Sequence, residues 1–243
     1  MKLSVIIPVF NQEKLLLRAL DSIPRRRDIE VIVIDDGSTD KTWDNLIDYS
    51  ERHKDLNVVC LCNPENKGVG YTVNKGYDFA IGEYVVLLGS DDYFYTDELE
   101  KAIEQLDGTD LIYFNLEINN GDVWVLNNES KHILCGSVKF MRRSFIEKTR
   151  CPEIRYAEDK AFYKKLLEKQ PTEKFLDTAI KHYNHPRNGS LSYLFNKGEL
   201  QGGEIMEEQT VTCTNCGNSD TIVVEDASVD NTITCPNCGG EEK

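Results

Sequence analysis

The chain has 243 residues, 40% of them hydrophobic, and a formal net charge of −14; it is long enough for one large domain or a domain with an appendage. So acidic a balance argues against nucleic acid or an anionic membrane surface as a general partner. No run approaches the roughly 20 apolar residues that a membrane helix needs, and the opening "MKLSVIIPVFNQE", broken by Pro8 and Asn11, reads as a strand rather than a leader; the expectation is a cytoplasmic protein with no membrane span.

Residues 3–9, "LSVIIPV", predict a buried strand. Leu15, Leu16, Ala19, Leu20 and Ile23 then recur at a helical period that Pro24 stops. "IEVIVID" (29–35) is a second apolar strand, and "DGSTD" turns into a helix with its cap at Ser38 or Asp40. "LNVVCLCN" (56–63) is a third strand, 68–80 a helix entered through glycine, and "GEYVVLLG" (82–89) a fourth strand. A helix capped by Thr96 or Asp97 follows. Continuous apolar strands alternating with helices predict an α/β fold whose parallel sheet is covered on both faces.

Ligands of such sheets sit beyond the carboxyl ends of the strands. Asp35 and Asp36 end the second strand; Ser90, Asp91 and Asp92 follow the fourth. Adjacent carboxylates repel and need a proton or a cation between them and their surroundings. Spacing alone equally allows ordinary turns and helix caps at both places.

The second half changes character. "DLIYFNLEINNGDVWVLN" reads as two strands joined at an Asn-Gly turn. "VKFMRRSFIEKT" reads as a short helix, "AEDKAFYKKLLEKQ" as another ended by Pro171, and "EKFLDTAIKHYNHPRNGSLS" as a strand and a loop. Residues 198–209, rich in glycine and glutamate, read as a linker between a domain at 1–197 and a module at 210–243.

Cys60, Cys62, Cys135 and Cys151 are scattered, whereas Cys213, Cys216, Cys235 and Cys238 form two C-x2-C pairs separated by 18 residues. That is the spacing of a four-thiolate zinc site, closed and therefore structural. The module resembles a zinc ribbon, and its core is too small to fold without such a staple. Residues 199–243 carry ten Asp and Glu against one Lys, which speaks for a protein contact rather than phosphate binding.

Residues 1–195 resemble family 2 glycosyltransferases of the GT-A fold. The resemblance rests on "SVIIPVFNQEKLLLRALDSI", "VIVIDDGSTDKT", "NKGVGYTVNKGYDFAIGEYVVLLGSDDYF", "AEDKAFYKKL" and "HYNHPRNGSLS", in that order. It implies a mainly parallel central sheet and inverting transfer of a sugar from a nucleotide-sugar donor, UDP-linked in the first instance, to a hydroxyl acceptor. By the same resemblance Asp36 hydrogen-bonds the nucleotide base with Asp35 behind it, and Pro8, Phe10, Asn11 and Glu13 line that pocket. Asp92 would hold Mg²⁺ or Mn²⁺ directly, with Ser90 and Asp91 at the donor. Asp159, or else Glu158, would be the general base, and His185, Arg187 and Ser190 would contact the diphosphate. Two positions depart from the pattern: Gly89 stands where the family often has Asp, and Val73 where it often has Arg. Both leave room for a catalytically weak module that binds a nucleotide-sugar or a partner. A transferase acting on modified DNA bases is a further alternative, which the acidic charge disfavours.

Overall fold

The computed structural model describes residues 1–132, 136–154 and 158–185, and beyond them the backbone of four short strands. The chain divides into two compact units, Met1–Arg187 and Asn188–Lys243. Unit 1 runs β1 (Leu3–Val9), α1 (Leu15–Asp21), β2 (Ile29–Asp35), α2 (Thr42–Arg52), β3 (Asn57–Cys62), α3 (Val69–Phe79), β4 (Tyr84–Leu87), β5 (Tyr93–Phe94), α4 (Thr96–Ile103), β6 (Leu111–Ile118), β7 (Val123–Trp124), β8 (Lys139–Arg142), α5 (Arg143–Ile146), α6 (Glu158–Glu168) and β9 (Glu173–Tyr183).

The strands form one sheet in the order β3-β2-β1-β4-β8-β6-β9-β5, with β7 paired to β6. Its face alternation explains the unbroken apolar runs. Leu3, Val5, Ile7 and Val9 of β1, with Ile29, Val31 and Val33 of β2, face α1, α2 and α4 in one core. Ile6, Ile32 and Ile34 point the other way, into a core with α3, α5 and α6. With both faces covered, neither parity of either strand meets water. Helix α3 comes especially close: a Cβ at Gly76 would stand 2.4 Å from the Cγ2 of Ile6.

The sheet is mixed, which corrects the mainly parallel expectation. β3, β2, β1 and β4 are parallel, as are β6 and β9. β8 runs antiparallel to both β4 and β6, and β5 antiparallel to β9. Parallel neighbours need a crossover that returns the chain to its starting edge. The stretch after the β6–β7 hairpin contains no such helix among the described residues, so β8 runs back the opposite way. The hairpin itself forms as expected, with Leu116 opposite Trp124 and Gly121 at φ +87°.

Three local expectations change. "KFMR" is strand β8, and only Arg143–Ile146 is helical. Neither Thr96 nor Asp97 caps α4, whose N-cap is Tyr95 and makes no side-chain cap bond. At α2 the N-cap is Lys41, while Asp40 accepts from the Thr42 amide (2.9 Å) and hydroxyl (2.5 Å).

In unit 2, β10 (Glu208–Thr212) pairs antiparallel with β11 (Ser219–Val223), and β12 (Ile233–Thr234) with β13 (Glu241–Glu242). β10 begins inside the stretch expected to be linker. Cys213, Cys216, Cys235 and Cys238 lie outside the described residues.

Candidate active site

β2 and β4 both pair with β1, so their carboxyl ends open on one edge of the sheet. Two strand spacings separate them, roughly 10 Å. The acids at 35–36 and 91–92 therefore share that edge.

Asp35 is buried and fixes the turn after β2, accepting from the Ser38 amide (3.0 Å) and hydroxyl (2.5 Å). Asp36 is also buried. It draws in the 63–68 segment by accepting from the Asn63 side chain (2.8 Å) and from the amides of Lys67 and Gly68 (2.9 Å each). A carboxylate has about four acceptor positions, so three donors leave room for one more. Asn11, at φ +51°, binds the same turn through its Oδ1 to the Thr39 amide (2.8 Å), and the Glu13 amide reaches Asp40 (3.3 Å). Phe10 is exposed and Pro8 half-buried.

The second acidic pair splits into two roles. Asp92, expected as the direct cation ligand, is 2% exposed and turned inward. Its Oδ2 meets the Nζ of Lys181 at 3.2 Å, and its Oδ1 accepts from the Asn184 amide at 2.9 Å. Lys181 is 1% exposed and also donates to Ser137 (2.5 Å). Burial pushes the Asp92 carboxyl up, against the pull of Lys181. The arrangement ties the post-β4 turn to β9. Asp91 is half-buried, with Oδ1 3.1 Å from where a Cβ at Gly89 would stand; its backbone carbonyl accepts from Arg18 (2.5 Å). Ser90 is buried.

A cavity of about 170 Å³ opens between these strand ends and α6, lined among others by Pro8, Gly89, Ser137, Glu158 and Asp159. Glu158 and Asp159 start α6 and share this hollow with Pro8 and Gly89, whereas Asp35, Asp36, Asp91 and Asp92 are not among its lining residues. Burial first, then the charge of Asp159, pushes the Glu158 carboxyl up to about 7. Asp159 accepts from the Lys160 amide at 2.7 Å. Burial also pushes the thiol of Cys151, another wall residue, up to about 12. His185 lies elsewhere: it stacks on Tyr183 (5.2 Å) and packs against Trp124 (5.6 Å), and is not among the cavity-lining residues. Arg187 and Ser190 lie outside the described residues.

Sequence reading passed over two residues. Lys181 sits in an ordinary strand alternation, and nothing local marks it as the partner of Asp92. Tyr77 completes a stripe with Val69 and Val73, spaced by four along α3, and all three line the cavity; that spacing was visible.

Residues 4–167 match the model of glycosyl transferase family 2, and the chain belongs to that family. Over 104 residues it is 38% identical to poly(ribitol-phosphate) beta-glucosyltransferase of Bacillus spizizenii, covering 41% of this chain and 16% of that protein. Over 106 residues it is 39% identical to an uncharacterized glycosyltransferase of Haemophilus influenzae, covering 42% of this chain and 40% of that one. The chain thus spans less than half the length of these curated relatives. Among solved structures it resembles S. aureus TarS 1–349 in complex with UDP-GlcNAc, at TM-score 0.68 and 27% identity, over 78% of this chain and 60% of that one. Mannosyltransferase PcManGT from Pyrobaculum calidifontis, in complex with GDP-Man and Mn²⁺, aligns at TM-score 0.65 over 82% of this chain and 61% of that one. At 20% identity that likeness shows the GT-A-like fold alone. No helix among the described residues is long and apolar enough to cross a membrane.

Proposed function

We propose that the chain is a metal-dependent, inverting glycosyltransferase that moves a sugar from a nucleotide-sugar donor, UDP-linked in the first instance, to a hydroxyl acceptor. The observation that carries this reading is a cavity walled together by Pro8 in β1, Gly89 just after β4, and Glu158 and Asp159 at the start of α6. A UDP-sugar complex of a neighbour at 27% identity supports the donor class.

The donor set suits a small hard cation. No cluster of three His, Cys, Asp or Glu stands ready among the described residues. Mg²⁺ and Mn²⁺ take one or two carboxylates and complete their shell with phosphate oxygens and water. Asp91, at the half-buried edge, would hold the ion, with Asp92 as the buried anchor beneath it. When bound, the cation offsets the negative charge of the departing diphosphate.

The protein's own groups do the rest. Asp36 has an acceptor position left for the base of the nucleotide. Asp159, at the start of α6, takes the proton of the acceptor hydroxyl as it attacks the anomeric carbon. Glu158 beside it, with its carboxyl near 7, is partly protonated at neutral pH and serves as a donor to the bound sugar. A single displacement of this kind inverts the anomeric configuration.

Thermal unfolding with UDP and Mn²⁺ tests the donor site, because a ligand that binds only the folded state raises the midpoint. Asp159→Asn is expected to keep that shift while lowering transfer or donor hydrolysis by at least about 100-fold. A protein that no nucleotide stabilises refutes the reading. Val73 and Gly89 favour a second reading, a nucleotide-sugar binder with little turnover, since neither brings charge to the cavity wall. Stabilisation without any Asp159-dependent release of nucleoside diphosphate would select it.

For unit 2 we read Cys213, Cys216, Cys235 and Cys238 as one structural zinc site, docking a protein partner. Each cysteine pair falls in the connection of an antiparallel strand pair, 213–218 between β10 and β11 and 235–240 between β12 and β13. Four thiolates in two C-x2-C pairs suit tetrahedral zinc. Elemental analysis of the purified protein should find one zinc per chain, and Cys213→Ser should remove it.

A further inference from the structure

The residues that lead into β8 touch both halves of the site. Ser137 accepts from the Nζ of Lys181 at 2.5 Å, and Lys181 in turn holds Asp92. Gly136, one residue earlier, lies against the start of α6: a Cβ placed on it would stand 2.9 Å from the Oδ2 of Asp159. Gly136, Ser137 and Asp159 all line the cavity. Two consecutive residues thus reach from the buried anchor of the post-β4 turn to the carboxylate read as the base.

The Gly136 peptide is not free to tilt. Its carbonyl accepts from the Val138 amide (2.9 Å) and from the Nζ of Lys139 (3.0 Å). Lys139 is buried, with its ammonium 4.6 Å from the centre of the Tyr163 ring. Tyr163 belongs to α6, so the side chain that fixes the peptide also packs on the helix that carries Asp159. At Asp159 itself, Oδ1 accepts from the Lys160 amide at 2.7 Å, and Oδ2 rests against the bare α-carbon of Gly136. A side chain at 136 would take that place. To reach an ordinary contact of 3.4 Å, Oδ2 would have to withdraw by about 0.5 Å or more. That is an easy motion for the tip of a side chain. It is a large one for a base that must meet a hydroxyl within about 2.6–3.2 Å.

We propose that Gly136 is a positioning residue for the general base: the absence of a side chain there sets where Asp159 stands in the cavity, and Ser137 and Lys139 hold that seat in place. The proposal rests on the reading of Asp159 as the base.

The test is hydrolysis of UDP-glucose and of UDP-N-acetylglucosamine with Mn²⁺, alongside thermal unfolding with UDP and Mn²⁺. Gly136→Ala should lower kcat for hydrolysis about 10- to 100-fold, the scale of a sub-ångström to 1 Å misplacement. KM and the UDP-induced rise in midpoint should stay as in the wild type. Water is the attacking group in this assay, so a methyl that only crowded an acceptor sugar would leave the rate unchanged. In an Asp159→Asn background, Gly136→Ala should change the residual rate by less than about twofold, because groups that act as one unit do not add. Lys139→Met frees the Gly136 carbonyl without adding bulk. It should lower kcat severalfold with UDP binding unchanged, have no effect beside Asp159→Asn, and carry the test where the alanine variant does not fold. An unchanged kcat in Gly136→Ala, or losses that multiply with that of Asp159→Asn, overturn the proposal while leaving the base in place. An Asp159→Asn variant as active as wild type overturns the base and the proposal together, and failure of UDP to bind overturns the donor site.

Discussion

Lys181→Met probes whether Asp92 is an internal anchor. The substitution keeps an unbranched side chain, one atom shorter, and removes its charge. In the folded protein Lys181 and Asp92 are 1% and 2% exposed, and their charged atoms stand 3.2 Å apart. At an effective dielectric of about 20, two unit charges at that distance attract by about 5 kcal/mol. Removing one partner leaves the other buried with a single amide from Asn184, and breaking a buried pair costs about 3–5 kcal/mol. The same cost is expected for Asp92→Asn, which strands the ammonium against Ser137. The double variant Lys181→Met/Asp92→Asn removes both charges and keeps an oxygen for the Asn184 amide. Since burial outweighs the pair at Asp92, whose carboxyl is raised rather than lowered, the double variant should fall within about 1–2 kcal/mol of wild type. Urea unfolding at pH 7, with no metal or nucleotide, measures all three. Single variants that each cost under about 1 kcal/mol would refute the anchoring role. So would UDP–Mn²⁺ binding lost in the double variant as fully as in Asp91→Asn.

Glu158 makes stability depend on pH. Its folded pKa, about 7, lies above the ordinary value of 4.5, so between these values the folded state holds a proton that the unfolded chain has released. Stability should therefore decline as pH rises from about 4.5 to about 7, by roughly 2–3 kcal/mol after allowing for partial exposure. Glu158→Gln should flatten that slope, and unfolding free energies at pH 5, 6, 7 and 8 would show it; parallel slopes would contradict it. Gly76→Ala should destabilise by about 1–2 kcal/mol, because the new methyl meets Ile6 at 2.4 Å and Ile34 at 3.1 Å. That overpacking exceeds the helix-propensity gain of about 1 kcal/mol. Pairing it with Ile6→Val should recover part of the loss in chemical denaturation.

The first half of unit 1 was legible from residue order because its signals are local. β1 and β2 read as unbroken apolar runs since both faces of the sheet are covered. Pro24, Gly68 and the Asn-Gly pair before β7 mark boundaries through backbone geometry that any neighbourhood would enforce. The same runs placed Asp35, Asp36, Asp91 and Asp92 at strand ends, and hence on one edge. Residue order alone could not say which of those acids looks outward. Asp92 turns inward because Lys181, 89 positions later, arrives opposite it on β9, a register set by the pairing of β5 and β6 with that strand. β8 was read as helix because four residues of strand are too few to show a period, and its antiparallel place between β4 and β6 supplies the stability that its own pattern lacks. Tyr77 looked like another core aromatic on a helical stripe. Only the packing of α3 against α6 left its hydroxyl without a partner beside Asp159. Periodicity and turn chemistry act over a few residues; the identity of a buried charge's partner and the emptiness of a cavity depend on segments that meet only when the sheet closes.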